Sequence, residues 1–463
     1  MTIARRDFLL ASAALGFGIF NGRAARAAIL KDADVVVIGA GAAGIAAARR
    51  LSAANVKVAV LEATERVGGR CQTDLTTFGI PFDRGARWLY SQDTNPVAKL
   101  ARLVGTEIYA APPSQKIRIG RRNARSGEVE DYLASLVRAN RAIQDPGRKS
   151  DTAALDALPK DLGLWPGALA FALGPAAISK DLKDVSVFDL ARQEPRDAGA
   201  FCRQGLGTLV AKLAETVPVS LSTPVTRVSW QGRSIEIETP AGRLTPRAVI
   251  VTASTTVLSS GDLRFAPDLP KRQLDAITKL SLGSYDHIAL ELSGNPLGLQ
   301  RDDVVIEQSD NNRTGLLLAN IGGSSVCLVD VAGSFGRELS GQGNDAMIAF
   351  AIEWLTKLYG NDIKAAMKRR AVTRWNAAPY VGGAMSVAAV GGQGARKILA
   401  EPLGGLFFAG EAAHETLAGT VAGAWDSGER TADAVLRKLG LIKEPAPETA
   451  PRQRRRSKSV APS

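Results

Sequence analysis

The sequence predicts an α/β fold centred on a parallel sheet, and three segments carry that expectation. Asp34 opens the first: the apolar run Val35-Val36-Val37-Ile38, a glycine turn, an alanine-rich helix, and a second apolar strand ending at Leu61. In the last, a strand over 406–409 passes through Gly410-Glu411 into a helix that Thr420 caps and Gly440 stops. Between them, Gly205-Leu206-Gly207-Thr208 opens a helix, and short strands are expected over 217–220, 225–230, 234–238 and 248–252. Strands alternating with helices in this way build β-α-β units. A chain of 463 residues, 45% hydrophobic and 22% charged, supplies a large core and excludes a disordered or collagen-like molecule.

The first segment also carries chemistry. Gly39 permits a tight turn, Gly41 lets backbone approach a pyrophosphate, and Gly44 lets helix pack on strand, which is the Rossmann dinucleotide arrangement. Free N–H groups near Ala43 and the positive end of the helix dipole then face the phosphates. Glu62, at the end of the second strand, is placed to accept ribose hydroxyls. Beyond it, Glu62-Ala63-Thr64-Glu65-Arg66-Val67-Gly68-Gly69-Arg70 resembles the E-A-x-x-R-x-G-G-R stretch of glutathione-reductase-like flavoproteins. That resemblance implies FAD rather than NAD. Gly68 and Gly69 would bring backbone against the cofactor, and Arg66 and Arg70 would reach its phosphates and flavin edge.

Three further segments narrow the resemblance. Phe82-Asp83-Arg84-Gly85-Ala86-Arg87-Trp88-Leu89-Tyr90 is similar to the D-x-G-A-x-W segment of polyamine oxidases. Arg374-Trp375 with Pro379-Tyr380-Val381-Gly382-Gly383 resembles their R-W-x-x-x-P-(Y/W)-x-x-G stretch. Phe408-Ala409-Gly410-Glu411 with Gly419-Thr420-Val421-Ala422-Gly423-Ala424 resembles their C-terminal signature. Together they resemble the flavin-containing amine oxidases, a family that includes monoamine oxidases, polyamine oxidases and histone lysine demethylases. The resemblance implies a two-domain flavoprotein: a glutathione-reductase-like Rossmann FAD domain, and an α+β substrate domain with a mixed sheet. The FAD domain would take 32–75, 196–261 and 393–440, and the substrate domain 76–195, read as helical, with 262–392, including a helix over 344–359. It further implies cofactor contacts at Gly85, Ala86, Arg87, Trp88, Val225, Trp375, Gly410, Glu411, Thr420 and Val421, with Glu411 on a ribityl hydroxyl. Tyr90, Met385 and His287 would line the substrate pocket.

Departures from the family pattern shape the expected mechanism. Monoamine oxidases tether FAD through a cysteine after the Gly-Gly pair; Ala384 stands there, so the flavin is expected to be non-covalent. Aromatic walls of the amine cage fall at Met385 and Thr420, so neither position supplies a ring. His287 occupies the strand position of a lysine that is bridged by water to flavin N5, and an imidazole could hold such a water. The implied catalytic set is therefore His287, Trp375 and Thr420. The implied reaction is hydride transfer from an uncharged mono- or polyamine to flavin N5. The resulting imine hydrolyses to an aldehyde, and oxygen or another acceptor takes the electrons, hydrogen peroxide being the product with oxygen. Flavin desaturation or dehydrogenation, and amino-acid oxidation with Arg87 on a carboxylate, are competing enzyme readings. A flavin-stabilised binding protein is a third. Asp93, Glu307 and Asp310 are candidate acids for a polyamine tail.

Charge and cysteine usage bound the partners. Lys+Arg 58 against Asp+Glu 46 gives a net +12, but much of the excess lies at the ends. Arg5, Arg6, Arg23 and Arg26 lie at one end, and Lys443, Arg452, Arg454, Arg455, Arg456 and Lys458 at the other. The body then has only a modest excess, and no nucleic-acid partner is expected. Arg5-Arg6, the apolar run to Phe20 and the small-residue site around Ala27 resemble a twin-arginine signal over 1–27. This implies the matching export machinery and a periplasmic or secreted protein. That run spans about 20 Å as a helix, too short to cross a bilayer of roughly 30 Å. The tail over 441–463, rich in Pro, Ser and Arg, reads as disordered. Cys71, Cys202 and Cys327 are an odd number, leaving at least one free thiol or an intermolecular bridge in an oxidising compartment. With His287 and His414 as the whole imidazole supply and no cysteine pair at ligand spacing, no metal centre is expected.

Overall fold

A computed structural model describes residues 32–196, 199–232 and 234–443; the expected signal over 1–27 and the tail beyond Lys443 lie outside them. Val35–Ile38 forms the middle of a five-stranded parallel sheet. Its order is Leu406–Phe408, Ala248–Val251, Val35–Ile38, Val58–Leu61 and Val219–Ser220. Every residue of the three inner strands is buried, which is why they read as unbroken apolar runs rather than alternating ones. Helices Ala42–Ala53, Leu206–Ala214 and Val421–Lys438 close one face around Ile45, Leu51, Leu209 and Trp425. On the other face, Val36, Val249 and Phe408 pack against a four-stranded sheet (Gly242–Leu244, Glu236–Thr239, Arg227–Ser229, Arg264–Ala266) and the helices Lys271–Lys279 and Ala395–Ala400.

The second unit is a seven-stranded mixed sheet. Its order is Met367–Val372, Tyr285–Leu292, Val326–Ala332, Leu316–Leu318, Val304–Glu307, Gln115–Ile119 and Arg122–Asn123. Helices Gly333–Gly341 and Asn344–Tyr359 cover one side through Phe335, Met347 and Leu355. Trp165, Leu169 and Tyr132 cover the other. The helix expected over 344–359 has those bounds.

Two expectations about segments need correction. The stretch 76–195 is not helical throughout: Gln115–Ile119 joins the mixed sheet, parallel to Val304–Glu307. A strand whose partner lies so far along the chain leaves no local mark beyond a short apolar alternation. The stretch 262–280, assigned to the substrate domain, instead packs with the nucleotide-side sheet. Arg264–Ala266 pairs with Arg227–Ser229, and Leu269, Ala276 and Ile277 enter that core.

All three cysteines are buried and unpaired, so each thiol is free rather than one alone. Burial pushes Cys71 and Cys202 up to about 12 and Cys327 up to about 11, keeping them protonated and inert. Among the described residues no helix is long and apolar enough to cross a membrane.

Candidate active site

The glycine turn is built from close backbone contacts. Gly39 has φ +103°, and a Cβ on Gly44 would lie 1.9 Å from the Gly39 carbonyl oxygen. Gly41 differs: nothing lies within 4 Å of the place its Cβ would take, so the space before the helix stays open. The second glycine pair folds onto the first. Gly68 N–H donates to Ala40 O at 2.8 Å, and a Cβ on Gly69 would stand 3.3 Å from Gly41 Cα. Arg66 braces this turn by donating to Gly69 O at 2.7 Å. Ala43 is buried against the Val421–Lys438 helix, where a Cβ on Gly428 would meet Ala43 O at 2.2 Å.

Glu62 is buried and accepts from Ala40 N at 2.8 Å and from Thr64 N and Oγ1 at 2.9 and 2.7 Å. Its carboxylate is thus held rigidly beside the turn, with Ala63 next in the chain. Ser222 and Thr223 N–H groups donate to Thr64 O and Glu62 O, each at 2.8 Å, which carries Val225 alongside.

At the opposite end, Glu411 does something other than wait for a hydroxyl. Its oxygens accept from Arg70 Nη1 at 2.8 Å, Ser386 Oγ at 2.6 Å and Gly419 N at 2.9 Å. Burial alone would raise this carboxyl's pKa, but Arg70, Ser386 and Arg396 outweigh it and hold it below the usual range. Arg70 also donates to Ala384 O. Glu411 therefore ties three chain-distant segments together, and the ribityl role expected for it gives way to a positioning one. Gly410 beside it has φ +139° with open space where a Cβ would stand. Thr420 caps the last helix by accepting from Gly423 N at 2.9 Å, with Val421 as the first helical residue.

The 82–90 segment passes between these two ends. Ala86 N donates to Arg70 O at 3.0 Å, and a Cβ on Gly85 would lie 2.9 Å from Trp375 Cζ2. Trp375 is buried and donates from Nε1 to Arg84 O at 2.8 Å. His287 stands behind, on Tyr285–Leu292, with Nδ1 at 2.6 Å from Asp330 Oδ1 and Nε2 at 3.1 Å from Gly85 O. A carboxylate and a carbonyl are both acceptors, so this geometry favours hydrogen on both ring nitrogens, the imidazolium form. Burial opposes that charge, but Asp330 and Gly85 O outweigh it and the pKa moves up. The expected water-holding role does not suit this ring, whose two nitrogens are both occupied by protein.

His287→Gln should destabilise the fold by about 2 kcal/mol at pH 6, since charge-assisted hydrogen bonds are lost from a buried carboxylate. A raised folded-state pKa adds stability below the unfolded value of about 6.5, and that stability is lost as pH rises through the folded value. Urea unfolding from pH 6 upward should therefore show the two proteins converging. A pH-independent gap would remove the imidazolium.

On the substrate side, Tyr90 stacks on Trp88, with ring centroids 6.0 Å apart and an interplanar angle of 4°. Met385 lies near Gly419, whose Cβ would be 3.2 Å from Met385 Cβ. Between them sits a residue that sequence reasoning missed: Arg196, with Nη1 3.9 Å from Met385 Sδ and Nη2 donating to Ala418 O at 3.0 Å. It lies in a loop with no motif, so only the tertiary contacts reveal it. Arg87 turns elsewhere, 5.0 Å over the Phe201 ring with Nη2 4.0 Å from Asp302. Of the acids considered for an amine tail, Glu307 is buried and engaged by Trp354 Nε1 at 2.7 Å, Thr314 and Lys357. Asp93 and Asp310 are exposed.

The family model for flavin containing amine oxidoreductase matches residues 42–194 and 160–436. Polyamine oxidase 5 of Oryza sativa subsp. japonica is 28% identical, over 90% of this chain and 92% of its own. Lysine-specific histone demethylase 2 of Homo sapiens is 27% identical over 87% of this chain, which spans 53% of that protein. Among solved structures, cyclohexylamine oxidase from Brevibacterium oxydans superposes with a TM-score of 0.75 at 20% identity. That superposition covers 88% of this chain and 100% of the other.

Proposed function

Because the chain belongs to the flavin-containing amine oxidoreductase family, we propose that it uses FAD to oxidise a primary or secondary amine to an imine and passes the electrons to oxygen. The observation that carries this reading is a pair of open backbone positions, at Gly41 and Gly410, linked through one residue: Gly69 packs on Gly41, and Arg70 beside it bonds both Glu411 and Ala86 of the 82–90 segment. An extended dinucleotide needs such a pair, one for its diphosphate and one for its far end. The donors also fit: the N–H groups at the start of the Ala42–Ala53 helix have no side-chain cap, which suits an anionic diphosphate.

FAD, when bound, supplies the two-electron acceptor for the C–H bond next to nitrogen and returns those electrons to oxygen as hydrogen peroxide. The chain does the rest. Gly39 to Gly44 and Glu62 hold the dinucleotide end, and Glu411 fixes Arg70, Ser386 and Gly419 as one unit. Trp375 and Gly85 set a rigid wall, and the His287 imidazolium keeps a fixed positive charge behind it. Residues Tyr90, Met385 and Thr420 orient the amine and exclude water. Ala384 has no sulfur, which supports a cofactor held without a covalent bond.

Anaerobic mixing of the yellow protein with a panel of amines and amino acids tests the reading, flavin absorbance being followed. Bleaching by at least one amine, with peroxide formed on admitting oxygen, is the expected result. Protein that stays colourless after incubation with FAD, or flavin that no amine bleaches, overturns it. The Arg5-Arg6 pair and the apolar run after it support delivery outside the cytoplasm. Cell fractionation that recovers all the protein from cytoplasm would remove that part.

A further inference from the structure

Tyr285 begins the strand Tyr285–Leu292, and its two flanks place it at the site. Two residues before it, Gly283 N donates to Met385 O at 2.8 Å and Gly283 O accepts from Ala384 N at 2.9 Å. Two residues after it, His287 reaches Gly85 O at 3.1 Å. Residues 285 and 287 share one face of the strand, so the phenol stands between the Met385 wall and the Gly85 segment. Tyr285 keeps partial exposure where the next five strand residues are buried. Burial is nonetheless the largest cause raising its pKa. A deep side chain that is still accessible lines an internal cavity, and the half-buried Tyr90 is close enough to act on it.

The phenol is polarised in one direction. Its O–H donates to Asp330 Oδ2 at 2.8 Å, while Asp330 Oδ1 holds His287 Nδ1 at 2.6 Å. Asp330 is buried, and the His287 ring stands edge-on to the phenol with ring centres 5.6 Å apart. A carboxylate only accepts, so the Tyr285 proton is committed to it and the oxygen's lone pairs remain for the cavity. Among the described residues nothing donates to that oxygen. Hydrogen bonds in series polarise one another, which makes this oxygen a stronger acceptor than that of a free phenol.

We propose that the Tyr285 oxygen anchors the substrate nitrogen by accepting one of its N–H groups, with Asp330 as the positioning residue that fixes the phenol's proton. This rests on the amine-oxidising reading above and names the group that meets the nitrogen. The polarity suits the reaction. A donor at this place would bond the nitrogen lone pair, the electron pair that becomes the C=N bond. An acceptor leaves that pair free. As the C–H bond breaks, its hydrogen and both electrons leave as hydride to the flavin. The lone pair then closes the C=N bond, and the iminium keeps its N–H on Tyr285. Positive charge grows on nitrogen in that step, so the hydrogen bond strengthens toward the transition state. Primary and secondary amines carry the required N–H as free bases; tertiary amines do not.

Two probes are titrated into the holoprotein while the flavin spectrum is followed. tert-Butylamine has N–H groups but no hydrogen on the carbon bearing nitrogen, and tetramethylammonium has no N–H at all. The Kd for tert-butylamine should rise about tenfold in Tyr285→Phe, and equally in Asp330→Asn, whose amide turns a donor toward the phenol. The Kd for tetramethylammonium should stay within about twofold in both. A purely structural role moves the two probes together. That result, equal tert-butylamine affinity in all three proteins, or no tert-butylamine binding by the wild type overturns the anchor. In the anaerobic panel, secondary amines should bleach the wild-type flavin about tenfold faster than their N-methylated tertiary counterparts, and Tyr285→Phe should narrow that gap. If amines bleach wild type and Tyr285→Phe at one rate, the anchor fails and the amine-oxidising reading stands. If no amine bleaches the flavin, that reading fails, while the ratio of the two probes still decides the anchor.

Discussion

Gly44→Ala is expected to purify with at least tenfold less flavin per chain than the wild type, and with a lower melting temperature. The added Cβ would lie 1.9 Å from the Gly39 carbonyl oxygen, 3.1 Å from the carbonyl carbon and 3.2 Å from Thr252 Oγ1. The first two are backbone atoms, so the turn itself must move. It is already committed, because Gly39 sits at φ +103° and its N–H donates to Leu61 O at 2.8 Å. Overpacking of this kind costs about 1–3 kcal/mol, and more when backbone takes the strain. The displaced atoms are also those that would face the diphosphate. Gly41→Ala separates the two effects: φ −75° suits alanine and no atom lies within 4 Å of the new Cβ. That variant should keep the stability of the apoprotein within about 0.5 kcal/mol and still bind FAD poorly. Absorbance ratio at purification, FAD titration and thermal unfolding read these outcomes; a yellow Gly44→Ala protein with wild-type melting would sink the assignment.

Glu411→Ala should lower unfolding free energy by about 2–3 kcal/mol, the range for losing charge-assisted hydrogen bonds from buried donors. Glu411 is 5% exposed, and its loss leaves Arg70, Ser386 Oγ and Gly419 N without their shared acceptor. Ser386 also accepts from Arg396, whose guanidinium is fully committed to Asp189 and nearby carbonyls, so the damage reaches the contact between the two domains. The cost depends on pH in a defined direction. A depressed folded-state pKa stabilises above the unfolded value, about 4.3 for glutamate, and that contribution disappears as pH falls through the folded value. Urea unfolding should show the full deficit at pH 7 and a smaller one below pH 4. A deficit under 1 kcal/mol at pH 7 would mean that the three segments are held together by something else.

Much of the nucleotide-side architecture was legible because its signals are local. The Val35–Ile38 and Val58–Leu61 runs, the Gly39–Gly44 turn and the Thr420 cap each depend on residues within one or two turns of chain. Sterics at a single backbone position select glycine there, and burial on both faces selects β-branched runs. The strand Gln115–Ile119 and the allegiance of 262–280 were not legible, since each depends on a partner surface supplied from elsewhere. Glu411 shows the same divide within one residue: its importance was readable from the motif, its partners were not.

By itself the sequence determined a parallel-sheet dinucleotide fold, a flavin-family assignment and the set of glycines that backbone geometry demands. Only the tertiary structure decided that His287 is held between Asp330 and Gly85, that Arg87 faces Asp302, and that Arg196 stands against Met385 and Gly419. Backbone sterics and hydrophobic periodicity act between near neighbours in sequence and so are written there directly. The direction of a long charged side chain is set by whichever carbonyl or carboxylate lies within about 3 Å in space, and that neighbour is named only when the chain has folded.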